Sequence, residues 1–438
     1  MALSAKVGAF NTGIDVVTST IVISDVGFQP KVIIFWWAGR TDSTDAVGRR
    51  NSQYGMGVAI SATERWANSA MEIDNSVAEE GARGKTVEAC ISVVTEAAAT
   101  AAFEGLLDLQ TMDSGGFTLV VDDVMPYDMR VHYIALGGSD LTNYKAGDFL
   151  EPNATGNYTV TDPGFRSDFI LFVTDGNNLD TTMPCMEEDG NQLGIGFAIS
   201  SSQQGVVVGN SDEGSATMDS DSYCRSDECI IRLPYVGGNP TDRNTFVQME
   251  DTGFTINKTL TGFSVRNMYL ALKGGSYIIG NLLTQTDTIT DIVESGFGFQ
   301  PKGGMFLSHC LAESTAGTAQ VNNQLSIGAF DSITSRGTQS IISVDNVADS
   351  IVSTAVEHDE VYINISADAA PVIDGLMDIK SIDSDGFTCI MDDADPSQSF
   401  VIYFVVGDTL VGGDPEGSLI GGKLIRGGLL RHGVLIGG

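Results

Sequence analysis

Enzymatic chemistry in this chain would have to come from a small number of reactive side chains. The histidines and cysteines are scattered along the sequence, at His132, His309, His358 and His432 and at Cys90, Cys185, Cys224, Cys229, Cys310 and Cys389. A nucleophile needs a base within hydrogen-bonding reach, and the neighbours His309 and Cys310 would point to opposite faces of a strand. We therefore predict no catalytic residue and no enzymatic activity.

The cysteine spacing also fits no metal centre. The sequence contains no CxxC pair, whereas a zinc site needs ligands paired at short intervals. A disulfide framework would need a denser pattern of cysteines. A bridge between Cys224 and Cys229 in an oxidising setting remains open, and the other cysteines fit small buried residues.

Acidic runs are the remaining candidates for ligand binding. They are Glu187-Glu188-Asp189, Asp219-Ser220-Asp221 and Asp383-Ser384-Asp385, with the pairs Asp122-Asp123 and Asp392-Asp393. A calcium ion needs several oxygens around one point, and none of these runs matches an EF-hand loop. We predict no metal ligand among them and interpret them as solvated turns, with a structural Ca²⁺ as the open alternative.

Two glycine pairs resemble part of a dinucleotide-binding motif. Gly55-x-Gly57 and Gly194-x-Gly196 lack the third glycine and precede runs that favour strands. Glycines within strands allow close packing between sheets. We therefore predict no bound cofactor.

The balance of charge restricts the partners of this protein. The chain has 57 acidic and 23 basic residues and a formal net charge of −34, which repels the phosphates of nucleic acids. The most apolar stretch, Val32 to Ala38, is much too short for a membrane span, and MALSAKVGAF lacks the apolar core of a secretory signal. We expect neither nucleic acid nor membrane as a partner.

The sequence contains one unit three times, and its structural elements would have to position any site. Each unit opens with Gly-Phe before an apolar run, at Gly27, Gly164 and Gly298, and closes with Gly-Phe-Thr, at Gly116, Gly253 and Gly386. The opening and closing glycines are 89, 89 and 88 residues apart. No histidine has a counterpart in another unit, which disfavours a catalytic ancestor.

The size and pattern of the unit predict an all-β fold. Successive units begin 137 and 134 residues apart, which is the length of a domain. Short Val, Ile and Phe runs between turn residues favour antiparallel strands. We predict three tandem antiparallel β-sandwich, jelly-roll-like domains. An Ala-rich segment, Glu96 to Leu109, is compatible with a helix. The predicted bounds are 1–140, 141–275 and 276–410, with a C-terminal arm at 411–438.

The motifs of this unit resemble a repeat of bacteriophage virion proteins. The shared features are Gly-Phe-x-Pro with an apolar run, a later Gly-Phe-Thr block and an alternating closing strand, from residue 7 to about 408. The second unit departs from the pattern at Arg166-Ser167 and the third at Gly303-Gly304. The resemblance implies a β-rich, non-enzymatic component of a virion, such as a capsid decoration, fibre or tail protein. It would be made in the host cytoplasm and would contact other virion proteins.

The end of the sequence predicts an assembly arm. Gly417 to Gly438 contains three basic residues and no acidic residue, and it is too short to bury its own apolar side chains. We predict that it docks on an acidic neighbour or on a second copy of the chain. An unattached end and a strand that completes the third domain are the alternatives. The predicted arm residues are Leu419, Ile420, Lys423, Leu424, Ile425, Arg426, Leu429, Leu430, Arg431, Val434, Leu435 and Ile436.

Two adjacent tryptophans suggest a second role. Trp36 and Trp37 would point to opposite faces of a strand, so one of them could be a surface anchor for a sugar or a protein. Burial of both between packed domains is the alternative. An exposed anchor would favour a carbohydrate-binding or adhesin protein that recognises a host-surface glycan. Three like domains could also imitate a trimer, with an end-to-end stack of domains as the rival arrangement.

Overall fold

The protein is built from β-strands. The computed structural model describes residues 2–40, 47–49, 51–77, 80–96, 101–176, 183–187, 189–212, 217–234 and 238–409. No helix occurs within these residues, and the strands form antiparallel sheets. The predicted all-β antiparallel class is therefore confirmed. None of the described segments is a helix long and apolar enough to cross a membrane.

We call residues 2–140, 141–275 and 276–409 the first, second and third copies. The strands of the first copy are β1 (Leu3–Asn11), β2 (Thr20–Ile23), β3 (Pro30–Trp37), β4 (Gly48–Arg49), β5 (Ser52–Ala59), β6 (Arg65–Glu72), β7 (Gly81–Thr86), β8 (Ile91–Glu96), β9 (Ala101–Asp113), β10 (Gly116–Asp123) and β11 (Arg130–Gly138).

The other two copies repeat this order. The strands of the second copy are β12 (Asn143–Leu150), β13 (Gly156–Val160), β14 (Phe169–Thr174), β15 (Cys185–Glu187), β16 (Asn191–Ser200), β17 (Gln203–Ser211), β18 (Ser220–Arg225), β19 (Ile230–Arg232), β20 (Asp242–Glu250), β21 (Gly253–Leu260) and β22 (Arg266–Lys273). Those of the third copy are β23 (Ser276–Leu283), β24 (Ile292–Ser295), β25 (Gly303–Ser308), β26 (Gln320–Val321), β27 (Asn323–Ser332), β28 (Ser335–Ser343), β29 (Val352–Glu357), β30 (Tyr362–Ile365), β31 (Ile373–Asp383), β32 (Gly386–Asp393) and β33 (Phe400–Gly407).

Each copy is a two-sheet sandwich. In the first copy the inner sheet has the order β1-β11-β3-β5-β6-β7, and the outer sheet has the order β2-β10-β9-β8. Strands β3, β5, β6 and β7 and strands β8, β9 and β10 follow one another as meanders, whereas β11 returns to lie between β1 and β3. The second and third copies have the same two sheets with the same order.

The opening apolar run is buried on both of its faces. In β3, Ile33, Phe35 and Trp37 face the outer sheet and belong to the sandwich core of the first copy. The alternating side chains, among them Ile34 and Trp36, belong to a different core that all three copies share. A strand between two cores needs a continuous apolar run, and β14 and β25 have the same double burial.

The shared core makes the three inner sheets the walls of one central structure. It contains Ile34 of the first copy, Leu171 of the second and Leu307 of the third. Each outer sheet lies on the far side of its own inner sheet, where a separate sandwich core covers it. The copies therefore surround a common centre and are not stacked end to end.

One short strand of each copy pairs with the edge of the inner sheet of a neighbouring copy. Strand β15 of the second copy pairs with β7 of the first, and β26 of the third copy pairs with β18 of the second. Strand β4 of the first copy pairs with β29 of the third. The three exchanges close a ring with pseudo-threefold symmetry.

The glycines of the repeat have two different structural roles. The opening Gly27 has a φ of 82°, a left-handed conformation that favours glycine. At the closing Gly116, an added Cβ would lie 1.8 Å from the carbonyl oxygen of Ile23. Gly57 approaches the carbonyl oxygen of Cys90 equally closely, at 1.8 Å from an added Cβ, which confirms that this glycine serves close packing.

The described part of the Ala-rich segment is a strand and not a helix. Strand β8 ends at Glu96, and strand β9 runs through Ala101–Asp113. Leu107 and Leu109 lie in the sandwich core, because pairing with β10 and β8 gives this segment the two-residue period of a strand. The helical interpretation is wrong for the described residues 101–109, since tertiary pairing outweighs the helix propensity of alanine.

Candidate functional site at the pseudo-threefold centre

A buried polar cluster lies on the pseudo-threefold axis. Glu72, Ser211 and Ser343 occupy the same position, the last residue of the equivalent strands β6, β17 and β28. Ser343 Oγ donates to Glu72 Oε1 at 2.5 Å, and Ser211 Oγ donates to Glu72 Oε2 at 2.9 Å. Because Glu72 bonds both of its counterparts, the three equivalent positions converge on the axis.

Asparagine and tyrosine side chains extend this cluster. Asn191 Nδ2 donates to Glu72 Oε2 at 3.0 Å, and Tyr54 Oη donates to Asn191 Oδ1 at 2.7 Å. Asn323 Nδ2 lies 3.0 Å from Asn191 Oδ1. These residues come from all three copies, so the cluster joins the whole ring with buried hydrogen bonds.

The carboxyl of Glu72 has an unusual environment. It is 1% exposed, and burial raises its pKa to about 7. The donors Ser343, Ser211 and Asn191 act against this rise, and nearby Asp74 adds to it. Near neutral pH the axis therefore holds a group that is part protonated and part charged.

The seam between the first and second copies contains buried ion pairs. Lys85 Nζ lies 2.8 Å from Asp175 Oδ1, and both side chains are fully buried. Arg83 Nη2 lies 2.7 Å from Glu187 Oε2 on the exchanged strand β15. A buried charge is strongly destabilising without its partner, so these pairs specify how the two copies fit together.

The seam between the first and third copies contains two histidines. His132 Nε2 lies 3.4 Å from His358 Nδ1, and the His132 ring stacks on Trp36 with centroids 5.5 Å apart. Burial lowers the pKa of His132 to about 3, with further lowering by His358 and Arg130. His132 is therefore neutral at physiological pH and acts as a packing residue.

The seam between the second and third copies depends on backbone hydrogen bonds. Ser314 N donates to the carbonyl oxygen of Cys224 at 3.0 Å, and Cys224 N donates to Ser314 Oγ at 3.1 Å. Arg225 Nη1 donates to the Ser314 carbonyl at 2.8 Å. The three seams are chemically different although the fold repeats.

The tryptophans are not surface anchors. Trp36 and Trp37 are both 0% exposed, because Trp36 faces the shared core and Trp37 faces the sandwich core. The prediction of an exposed anchor is wrong, and burial between packed elements is what the structure shows. A strand that lies between two cores has no face left for solvent.

The predicted assembly arm lies outside the described residues. This applies to each of its residues from Leu419 to Ile436, because the described chain ends at Thr409. The arm therefore remains a prediction. The last described residue before the arm is Thr409.

The structure places the other candidate residues from the sequence in packing or turns, not in a reactive site. Cys224 and Cys229 are free and buried, with no bridge between them. His309 is buried, and burial lowers its pKa to about 3. Asp383 accepts a hydrogen bond from Thr388 Oγ1 at 3.1 Å, so it stabilises a turn. Across the described part of the chain, no three His, Cys, Asp or Glu side chains are grouped so that they could hold a metal ion.

Comparison with known proteins adds no family. No family model and no curated protein matches the chain. Among solved structures, one similar chain is Bombyx mori GH32 beta-fructofuranosidase BmSUC1, with 8% identity, 87% of this chain and 94% of that chain covered, and a TM-score of 0.10. A likeness this weak carries no argument about fold or activity.

Sequence reasoning missed the residues that close the ring. The exchanged strands β4, β15 and β26 have two or three residues each and share no motif. Glu72 was missed as well, because its counterparts are serines. Alignment of the three inner sheets would have shown this one carboxyl at a position that is otherwise neutral.

Proposed function

We propose that this chain is a non-enzymatic structural protein of a virion, as a capsid decoration, fibre or tail component. It assembles through its β-sandwich copies and its C-terminal arm, and it contacts other virion proteins. The observation that carries this proposal is the closed ring of exchanged strands around a shared core. One folded chain thereby has the shape of a trimer.

A pseudo-trimer suits a position on a symmetric particle. Closed rings present similar surfaces in three directions, so the three outer sheets can contact three similar neighbours. The described side chains at the seams and at the axis are buried in hydrogen bonds and packing, which supports a role in holding shape. The motif resemblance to phage virion repeats supports the same role.

Localisation on the particle tests this proposal. Antibody labelling and particle imaging should place the chain on purified virions at a threefold or pseudo-threefold position. Deletion of residues 417–438 should lower its incorporation, while the exposed substitution Ile289→Ala should leave incorporation unchanged. Absence of the full-length chain from purified virions would refute the proposal.

A cavity in the first copy favours glycan recognition as a second candidate function. Its volume is about 560 Å³, and its lining includes Gln53, Thr95, Glu104, Met71 and Tyr127. Pockets of this size hold small ligands. Polar groups beside an aromatic ring and aliphatic side chains suit the hydroxyl groups and the apolar face of a sugar.

The copies differ at this cavity. In the second copy Gln192, the equivalent of Gln53, accepts a hydrogen bond from Leu233 N at 2.8 Å. In the third copy the equivalent Gln324 donates to the Ile365 carbonyl at 2.9 Å.

Glycan-array binding by the full chain, lost in Thr95→Val and kept in the exposed control Thr111→Val, would support this candidate. No binding to any glycan would exclude it.

A further inference from the structure

The junctions between the copies meet at one end of the central core. Leu3 N donates to Asp408 Oδ1 at 2.8 Å, and Thr409 N donates to Asp140 Oδ2 at 2.9 Å. Gly275 N donates to Thr409 Oγ1 at 3.1 Å. Since these residues come from the start, both joins and the end of the ring, Thr409 lies close to the pseudo-threefold axis.

The opposite end of the core is formed by three turns. We call their described residues, 73–77, 80, 212, 217–221 and 344–350, the acidic apex. Asn75 N donates to the Ser350 carbonyl at 2.9 Å, and Met218 N donates to the Val347 carbonyl at 2.9 Å. The turn of the third copy therefore contacts the turns of both other copies.

The strand register shows which residues lie at each end of the central core. In the first inner sheet Leu3 pairs with Gly138 at the junction end, while Ser52 pairs with Glu72 at the other end. Glu72 is followed directly by the turn of the apex. The end of the described chain and the acidic apex thus lie at opposite ends of the central core.

The charges of the apex and of the arm are complementary. Among its described residues the apex has no Lys or Arg, and its accessible or half-buried acidic residues are Asp74, Glu80, Asp219, Asp345 and Asp349. Asp212 and Asp221 also belong to it but are buried. It also presents Val77, which is 79% exposed. The arm, Gly417 to Gly438, has three basic residues among apolar ones and no acidic residue.

We propose that two copies of this chain associate head to tail, with the C-terminal arm of one molecule docked on the acidic apex of the next. The last described residue before the arm, Thr409, lies close to the axis at the junction end, and a second copy placed on the same axis in the same orientation presents its apex to that end. The inference rests on the proposed function in one respect, the arm as the assembly element. It adds the partner, which is a second copy.

Such a contact joins two different surfaces. A heterologous contact that does not close produces an open stack along its axis. Opposite charges steer the two surfaces together, and salt screens this attraction. The arm also supplies apolar side chains that can cover exposed Val77, which gives the contact a part that salt does not remove.

Sedimentation of the purified full chain tests the contact. Association should increase with protein concentration at low ionic strength and weaken at about 0.5 M salt. Deletion of residues 417–438 should leave monomers under both conditions. The double variant Glu80→Lys/Asp349→Lys should weaken association about tenfold or more, because it removes much of the negative charge of the apex.

Controls separate this contact from general charge effects. Asp122→Lys/Asp392→Lys makes the same change in net charge on two outer sheets, and it should leave association within about twofold. A chain with Lys423→Glu, Arg426→Glu and Arg431→Glu should not self-associate, because its arm then carries the same sign of charge as the apex. Circular dichroism checks that each variant is folded.

Three results would overturn the inference. They are a full chain that stays monomeric at every concentration, association that survives deletion of the arm, and equal weakening by the apex and outer-sheet variants. These outcomes are independent of the particle. Absence of the chain from virions would refute the proposed function. The head-to-tail contact would still be decided by whether the purified chain associates.

Discussion

Glu72 Oε1 accepts a hydrogen bond of 2.5 Å from Ser343 Oγ, although the two residues are 271 positions apart in the chain. They hold the same register position in the first and third copies, so the bond crosses the centre of the ring. It places a carboxyl with a pKa of about 7 where the three inner sheets meet. The stability of the ring should therefore respond to pH through one identifiable group.

The substitution Glu72→Gln should flatten the pH dependence of stability. Because the folded pKa of about 7 exceeds the ordinary 4.5, the stabilising contribution of protonated Glu72 is full below the unfolded pKa and is lost as pH rises through about 7. From about pH 4 to pH 8 this loss amounts to roughly 3 kcal/mol. Urea unfolding of both proteins across this range measures it. Glu80→Gln should retain the wild-type slope, and parallel curves for Glu72→Gln and wild type would contradict the prediction.

Removal of one partner from a buried ion pair should destabilise the first seam. Lys85→Met removes the Lys85 ammonium from buried Asp175, at an expected cost of about 3–5 kcal/mol in the free energy of unfolding. The double variant Lys85→Met/Asp175→Leu should recover most of this loss. Chemical denaturation checks both, with exposed Lys380→Met as the control at less than about 1 kcal/mol. Equal losses at Lys85 and Lys380 would refute the role of burial.

Truncation of Trp36 should destabilise the shared core. Trp36→Ala leaves a cavity beside His132 and should lower the free energy of unfolding by about 3–5 kcal/mol. Ile289→Ala, at a side chain that is 84% exposed, should have little effect. Thermal and urea unfolding measure the difference. A Trp36→Ala protein of wild-type stability would show that the shared core contributes little.

A circular permutant should fold, because the ends of the ring are adjacent. Direct fusion of Thr409 to Ala2, with new termini at Leu141 and Thr142, replaces one junction by another of similar length. The permutant should melt within a few degrees of a chain truncated after Thr409, and circular dichroism with scanning calorimetry tests this. Failure to fold, while the truncated chain folds, would show that the junctions are not interchangeable.

The strands were predictable because their signals are local. The opening run at Val32 to Ala38 is apolar at every position, which predicts a strand with two buried faces, and Gly-Phe-Thr blocks mark the closing strands. The sequence of residues 96–109 suggested a helix, because alanines favour a helix in isolation. Pairing with β10 and β8 instead makes the described residues 101–109 a strand. The pairing partner lies elsewhere in the chain and leaves no local pattern.

The centre of the ring was not predictable for a related reason. Strand β4 has two residues, and its partner β29 lies in the third copy, so no periodicity marks the exchange. The role of Glu72 appears once its register with Ser211 and Ser343 is known. The tryptophans show the same limit, since sequence indicated opposite faces and tertiary packing determined that both faces are buried.

Linking three copies in one polypeptide also has a consequence for molecular evolution. In a homotrimer, any residue at the position of Glu72 would occur three times, and three carboxylates packed together would repel one another strongly. A single gene can place an acid in one copy and serines in the other two. Each seam, and each outward-facing lobe, is then free to acquire its own specialisation while the common scaffold is retained.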